Sequence, residues 1–177
     1  MKERLKKRLE FLYKGERFAI IMFIPPALLI PYAYPDLQLY SLLSFWTSFF
    51  LLEFILIQGT YYWYSKWKRL TTEEKSITPV RTIKHLKKLK PINISIIIFS
   101  IIMFLIDLYI HYPFLPVKGL LLSGFILLFA FLEFINYFYV QLSYDNRSDL
   151  RYLIKTKKLK RSCLNQDFKH FYRRGIK

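Results

Sequence analysis

At 177 residues the chain is long enough for one soluble domain, but 54% hydrophobic and 19% aromatic residues are too many for one. The formal net charge of +16, from 28 Lys and Arg against 12 Asp and Glu, favours anionic partners. A lone cysteine, Cys163, excludes a disulfide framework.

Residues 1–17 read as a basic cytosolic helix, with Leu5, Leu9 and Leu12 forming an apolar stripe beside Lys and Arg, the pattern of a helix lying in the membrane interface. Four apolar blocks follow, at 18–34, 39–62, 92–112 and 119–142, each near the ~20 residues that cross about 30 Å of hydrocarbon. The first is short and broken by Pro25, Pro26 and Pro31. A cleaved signal peptide fits it poorly, because the preceding basic region is long and no small-residue cleavage site follows. Between the second and third blocks lies a basic linker with a second amphipathic helix over 80–90, striped by Ile83, Leu86 and Leu89. The expected fold is all-α with four transmembrane helices. It divides into a cytosolic amphipathic helix (1–17), transmembrane hairpin 1 (18–64), a basic linker helix (65–91), transmembrane hairpin 2 (92–142) and a basic cytosolic tail (143–177).

Of the 28 Lys and Arg, 27 fall before the first block, in the middle linker or in the tail; Lys118 is the exception. The positive-inside bias therefore places both termini and the linker in the cytoplasm of a bacterial inner membrane.

The two hairpins echo each other. Phe49-Phe50-Leu51-Leu52-Glu53-Phe54-Ile55 returns 80 residues later as Phe129-Ala130-Phe131-Leu132-Glu133-Phe134-Ile135. The same offset pairs Tyr32 with Tyr112, Leu42 with Leu122, Phe45 with Phe125, Tyr64 with Tyr144 and Leu70 with Leu150. A carboxylate within a span costs roughly 2.5–3.5 kcal/mol on insertion scales, so its recurrence points to a tandem two-helix repeat. Convergence of two hydrophobic hairpins on similar residues is the alternative.

The intramembrane polar candidates are Glu53, Asp107, Glu133, Asn136, Tyr137 and Gln141. On the fourth block Glu133, Asn136, Tyr137, Gln141 and Tyr144 share one helical side. They suit an acid-lined cation path, which one four-helix chain is too small to enclose, so a pore would need several copies. The alternative is that the acids are protonated or hydrogen-bonded and hold helices together. His85, His111 and His170 lie on separate segments, so no metal site and no cofactor are assigned. A lipid-modifying enzyme using Glu53, Glu133 or Asp107 as acid or base is the least favoured reading, since no catalytic motif marks them.

In the tail, Ser148 reads as the cap of a short helix with Asp149 in its first turn, carrying Leu150, Leu153, Ile154 and Lys157 on one stripe. The candidate polyanion-binding residues are Lys155, Lys157, Lys158, Lys160, Arg161, Phe168, Phe171, Tyr172, Arg173 and Arg174. Rings interleaved with cations suit single-stranded nucleic acid, where bases stack on aromatics. They suit anionic headgroups equally.

The stretch Leu132-Glu133-Phe134-Ile135-Asn136-Tyr137-Phe138, with Gln141-Leu142, Tyr144-Asp145-Asn146, Asp149-Leu150, Tyr152-Leu153 and Leu159-Lys160-Arg161-Ser162, resembles a pattern in small four-span bacterial membrane proteins. In general form the chain is also similar to membrane effectors of nucleotide-controlled anti-phage defence. That likeness implies a homo-oligomeric pore controlled by a nucleotide or oligonucleotide from a partner enzyme. The expected function is a homo-oligomeric inner-membrane channel or permeabilising effector whose basic cytosolic face binds an anionic regulator, either an oligonucleotide or nucleotide or an acidic lipid. The alternative is a non-conducting accessory or immunity-type protein that docks a cytosolic partner.

Overall fold

The computed structural model describes residues 2–75, 77–143 and 147–173, without the side chains of 147–150, 152, 172 and 173. Tyr144, Asp145, Asn146 and Arg174 lie outside the described residues. The order is α1 (Lys2–Ala33), two short 3-10 turns (Pro35–Leu37 and Leu39–Ser41), α2 (Leu43–Thr72), α3 (Val80–Ile110), α4 (Val117–Phe138), α5 (Arg147–Thr156) and α6 (Cys163–Arg173). Four of these helices, α1 to α4, are long and apolar enough to cross a membrane, making this a multi-pass membrane protein. Among the described residues there is no strand, only an isolated antiparallel bridge between Val140 and Arg161.

Helix lengths differ from expectation in an informative way. At 1.5 Å per residue, α1, α2 and α3 of 32, 30 and 31 residues rise about 45–48 Å, half as long again as the hydrocarbon layer. The basic lead-ins over 1–17 and 80–90 are therefore not separate interfacial helices; each runs unbroken into the span that follows. The prolines of α1 are accommodated inside the helix, as membrane helices commonly allow. Likewise α5 begins at Arg147, so Ser148 lies within its first turn and not ahead of it.

α2 is the central element and packs on α1, α3 and α4. Half of its apolar window is buried, against 11% in α1, because two adjacent stripes of α2 face inward. One stripe runs Ser44, Ser48, Leu51, Ile55, Gln58 and Tyr62; the other runs Phe45, Leu52, Leu56 and Gly59. The remaining apolar surface, such as Phe18, Ile21 and Leu29 of α1 and Leu121 and Phe125 of α4, is exposed.

Lipid tails are as apolar as leucine, so burial alone does not join these helices; close approach and polar pairs do. Ser44, Ser48, Ser100 and Ser123 are fully buried and keep the helices close. At Gly119 a side chain would strike the backbone carbonyl of Leu37, so glycine lets the first turn seat against α4. Asp107 performs a structural task at the end of the bundle away from the basic residues. Its carboxylate accepts the backbone N–H of Leu43 at 3.2 Å and of Ser44 at 2.7 Å, capping α2, whose own N-cap Leu42 offers no side-chain bond.

At the opposite, basic end α6 docks on α3 and α4. Leu164, Phe168 and Phe171 are buried, and the Phe168 ring stacks on Phe138 at 6.4 Å. Asp167 Oδ2 accepts hydrogen bonds from Tyr62 at 2.7 Å, from Lys66 at 3.3 Å and from Thr78. Phe168 and Phe171, candidates for base stacking, are buried in the bundle, while Lys169 and His170 are exposed.

Candidate functional site

The end of α4 builds one wall of a cavity. Glu133, Asn136 and Tyr137, spaced three and four apart, lie on one helical face. Asn136 Nδ2 donates to Glu133 Oε2 at 3.3 Å, while Asn136 Oδ1 accepts the backbone N–H of Leu142 at 2.8 Å. The amide thereby ties the carboxylate to the chain leaving α4.

That chain is held by a returning segment. Gln141 N–H donates to the carbonyl of Lys160 at 2.8 Å, and Ser162 N–H donates to that of Tyr139 at 3.2 Å. Ser162 Oγ donates to the carbonyl of Tyr137 at 2.6 Å, and Asn165 Nδ2 to that of Tyr139 at 2.9 Å. The chain at 139–141 and the chain at 160–162 are consequently held side by side.

Beside these paired segments lies a cavity of about 390 Å³, within the range of small-molecule sites. Its apolar side is Leu5, Leu9, Leu12 and Ala19 of α1 with Leu56 and Trp63 of α2. The leucine stripe of the first helix therefore faces this space. Arg8, Lys66 and Lys160 supply positive charge to the lining, with Lys66 already paired to Asp167 at 3.3 Å. Glu16 and Glu133 are the acids of the lining, with Asn136, Tyr137, Gln141, Ser143, Ser162 and Cys163 beside them.

Glu16 is the least anticipated member. Its carboxyl and the hydroxyl end of Tyr137 meet over Gly59, where the absence of a side chain leaves room for both. Glu16 Oε2 is buried without a hydrogen-bond partner, and the carboxyl interacts with Tyr137, Trp63 and Glu133. The acidic companion of Glu133 is thus Glu16 of α1, not its sequence counterpart Glu53.

Of the intramembrane candidates, Glu133, Asn136, Tyr137 and Gln141 come together here, joined by Lys160 from the polyanion set. Asp107 is at the far end of the bundle on its capping contacts. Glu53, farther along α2, has both carboxylate oxygens buried without a hydrogen-bond partner. Lys155, Lys157, Lys158 and Arg161 are exposed. Tyr172 and Arg173 belong to the last turn of α6, and Arg174 falls outside the described residues. Sequence reasoning missed Glu16, Gly59, Arg8, Lys66, Trp63 and Asp167. The one usable signal was Glu16 itself, a carboxylate two residues ahead of an apolar block.

Comparison with protein-family models, curated proteins and solved structures gave no match.

Proposed function

We propose that this protein is a homo-oligomeric channel or permeabilising effector of the bacterial inner membrane, built as a tandem repeat with both termini cytoplasmic. An anionic amphiphile bound at its cytosolic end regulates it. The observation that carries this reading is the cavity, which joins a leucine wall to Arg8, Lys66 and Lys160 at the basic end of the bundle. A chain-bearing phosphate would place its tail on Leu5, Leu9 and Leu12 and its phosphate among the cations. Burial of Phe168 and Phe171 favours an acidic lipid over an oligonucleotide, because stacking needs accessible rings. The exposed Lys155, Lys157, Lys158 and Arg161 then attract the cytosolic leaflet, at about 1 kcal/mol each near the surface. Conduction would run between copies, since α2 is packed on three sides within one chain.

The test is ion flux from liposomes of neutral lipid into which phosphatidate is titrated, with subunit number measured in parallel. Flux should rise with phosphatidate, and Arg8→Ala with Lys160→Ala should move the midpoint upward by about tenfold, or 1.4 kcal/mol. A monomer without flux at any phosphatidate content refutes it. That result leaves the accessory or immunity-type reading, in which the spans and tail dock a partner; the filled interior around Leu51, Ile55 and Gln58 favours it.

A further inference from the structure

We infer that the amphiphile of this cavity carries a single acyl chain, as a lysophosphatidate does, and reaches its site through water rather than sideways from the bilayer. This rests on the proposed anionic-amphiphile site and narrows the ligand it takes.

The position of the leucines carries the inference. Leu5, Leu9 and Leu12 belong to the same unbroken helix as the first span, so the helical rise fixes their distance from it. Lys14 and Arg17, both exposed, lie between them and the apolar run that opens at Phe18. Exposed charges do not lie in hydrocarbon, so its edge comes no nearer the leucines than Arg17. At 1.5 Å per residue Leu12, Leu9 and Leu5 stand about 8, 12 and 18 Å beyond Arg17, while the headgroup layer is about 5–8 Å deep. Tyr13 marks the same level. Its ring meets Tyr64 at 5.7 Å and Trp67 at 5.2 Å, amphipathic rings of the kind that gather among headgroups. The cations are placed likewise. Arg8 lies between Leu5 and Leu9, and the Lys160 carbonyl accepts the N–H of Gln141, three residues past the end of α4. A chain seated on these leucines has therefore left the membrane.

One chain suits that position and two do not. A single acyl chain holds an amphiphile at a membrane marginally and reversibly, whereas two chains anchor it stably. The cavity is also narrow. Leu5, Arg8, Leu12, Gly15 and Ala19 line it turn after turn over about 21 Å of α1, so its volume of about 390 Å³ is drawn out along the helix. With one row of leucines, such a space takes one extended chain. Gly15 sits within that row. Glycine weakens a helix interior, yet a Cβ here would meet nothing within 4 Å, so no close packing requires it; its missing side chain leaves the groove open.

The experiment is ligand binding by the full chain in phosphatidylcholine nanodiscs, corrected for nanodiscs without protein. Lysophosphatidate, phosphatidate with the same acyl chain and glycerol 3-phosphate offer one chain, two chains and none. Lysophosphatidate should bind about tenfold more tightly than either of the others. Gly15→Leu, which adds a side chain to the groove, should weaken long-chain lysophosphatidate more than short-chain and leave glycerol 3-phosphate unchanged. The comparison among ligands on the unaltered protein stands even if the variant does not fold. Phosphatidate bound as tightly as lysophosphatidate overturns the single chain and leaves the anionic-amphiphile reading in place. Glycerol 3-phosphate bound as tightly also overturns it, since the leucines then hold nothing. A folded Gly15→Leu that binds every chain length as the unaltered protein does overturns the seating of the chain along α1. Binding of none of the three above the protein-free level removes the cavity as a site, and both proposals with it.

Discussion

Gln58 of α2 and Asn93 of α3 exchange two hydrogen bonds of 2.8 Å, Gln58 Nε2 to Asn93 Oδ1 and Asn93 Nδ2 to Gln58 Oε1. Both side chains are buried, so each amide is the other's solvent. Hydrogen bonds between membrane helices contribute about 0.6–2 kcal/mol. Gln58→Leu or Asn93→Leu alone strands the remaining amide and should destabilise the fold, whereas the double change removes both polar groups. A double-mutant cycle on unfolding in micelles should show the double variant less harmful than the sum of the singles. Strict additivity would mean that the pair does not couple α2 to α3.

The glycines give a graded test of helix approach. At Gly119 a new methyl meets the Leu37 carbonyl, which is backbone and cannot swing aside; overpacking of this kind costs about 1–3 kcal/mol. At Gly59 it meets Glu16 and Tyr137, whose ends can move at the expense of the cavity. At Gly124 the nearest atoms are Phe104 ring carbons at 3.5 and 3.6 Å, an ordinary contact, so alanine there should be neutral or gain up to ~1 kcal/mol of helix propensity. Melting temperatures should follow Gly119→Ala below Gly59→Ala below Gly124→Ala. Equal values at Gly119 and Gly124 would contradict the close seating of the first turn.

The spans were legible because twenty-residue apolar blocks and clustered Lys and Arg need no tertiary information. The site was not. The stripe Leu5, Leu9, Leu12 beside Lys and Arg has the same pattern whether it lies on lipid or faces a cavity under a returning tail. Likewise Phe168 and Phe171 among cations fit bases, headgroups or the protein's own core. What decides is Asp167, whose partners Tyr62, Lys66 and Thr78 are 89 to 105 residues away in the chain. No local pattern announces such a meeting. Asp107 was visible as an acid in a span, but its role depends on the backbone of α2, which carries no sequence signal.

The anchoring of α6 predicts a local response. Asp167→Ala removes the acceptor shared by Tyr62, Lys66 and Thr78, at about 1.5–3 kcal/mol for a hydrogen bond to a charged group. Phe168→Ala should cost about 3–5 kcal/mol if its cavity does not collapse. In hydrogen exchange, α6 should lose protection in both variants while α2 and α4 keep theirs. If instead both leave α6 protected and only weaken oligonucleotide binding, the docking of α6 is wrong.

Orientation follows from the partition of basic residues. Reporter fusions at residues 75 and 177 should read cytoplasmic, and one at residue 115, in the turn between α3 and α4, should read external. A periplasmic reading at 177 would put the cavity on the wrong face for a cytosolic regulator.

Glu53 separates structure from function most sharply. One sequence reading has the intramembrane acids holding helices together, but both oxygens of Glu53 are buried without a hydrogen-bond partner. A buried, unpartnered carboxyl is a liability to folding, so Glu53→Leu should leave stability unchanged or raise it. Glu133→Leu, which loses the bond from Asn136, should lower it. If Glu53 serves conduction, Glu53→Leu and Glu53→Gln should both reduce cation flux in liposomes from an oligomer that is otherwise intact. Stability gained together with flux lost is the signature of a residue kept for function. Glu53→Leu that melts lower than the unaltered protein would mean that the carboxyl supports the fold, and would remove the argument that Glu53 is kept for conduction.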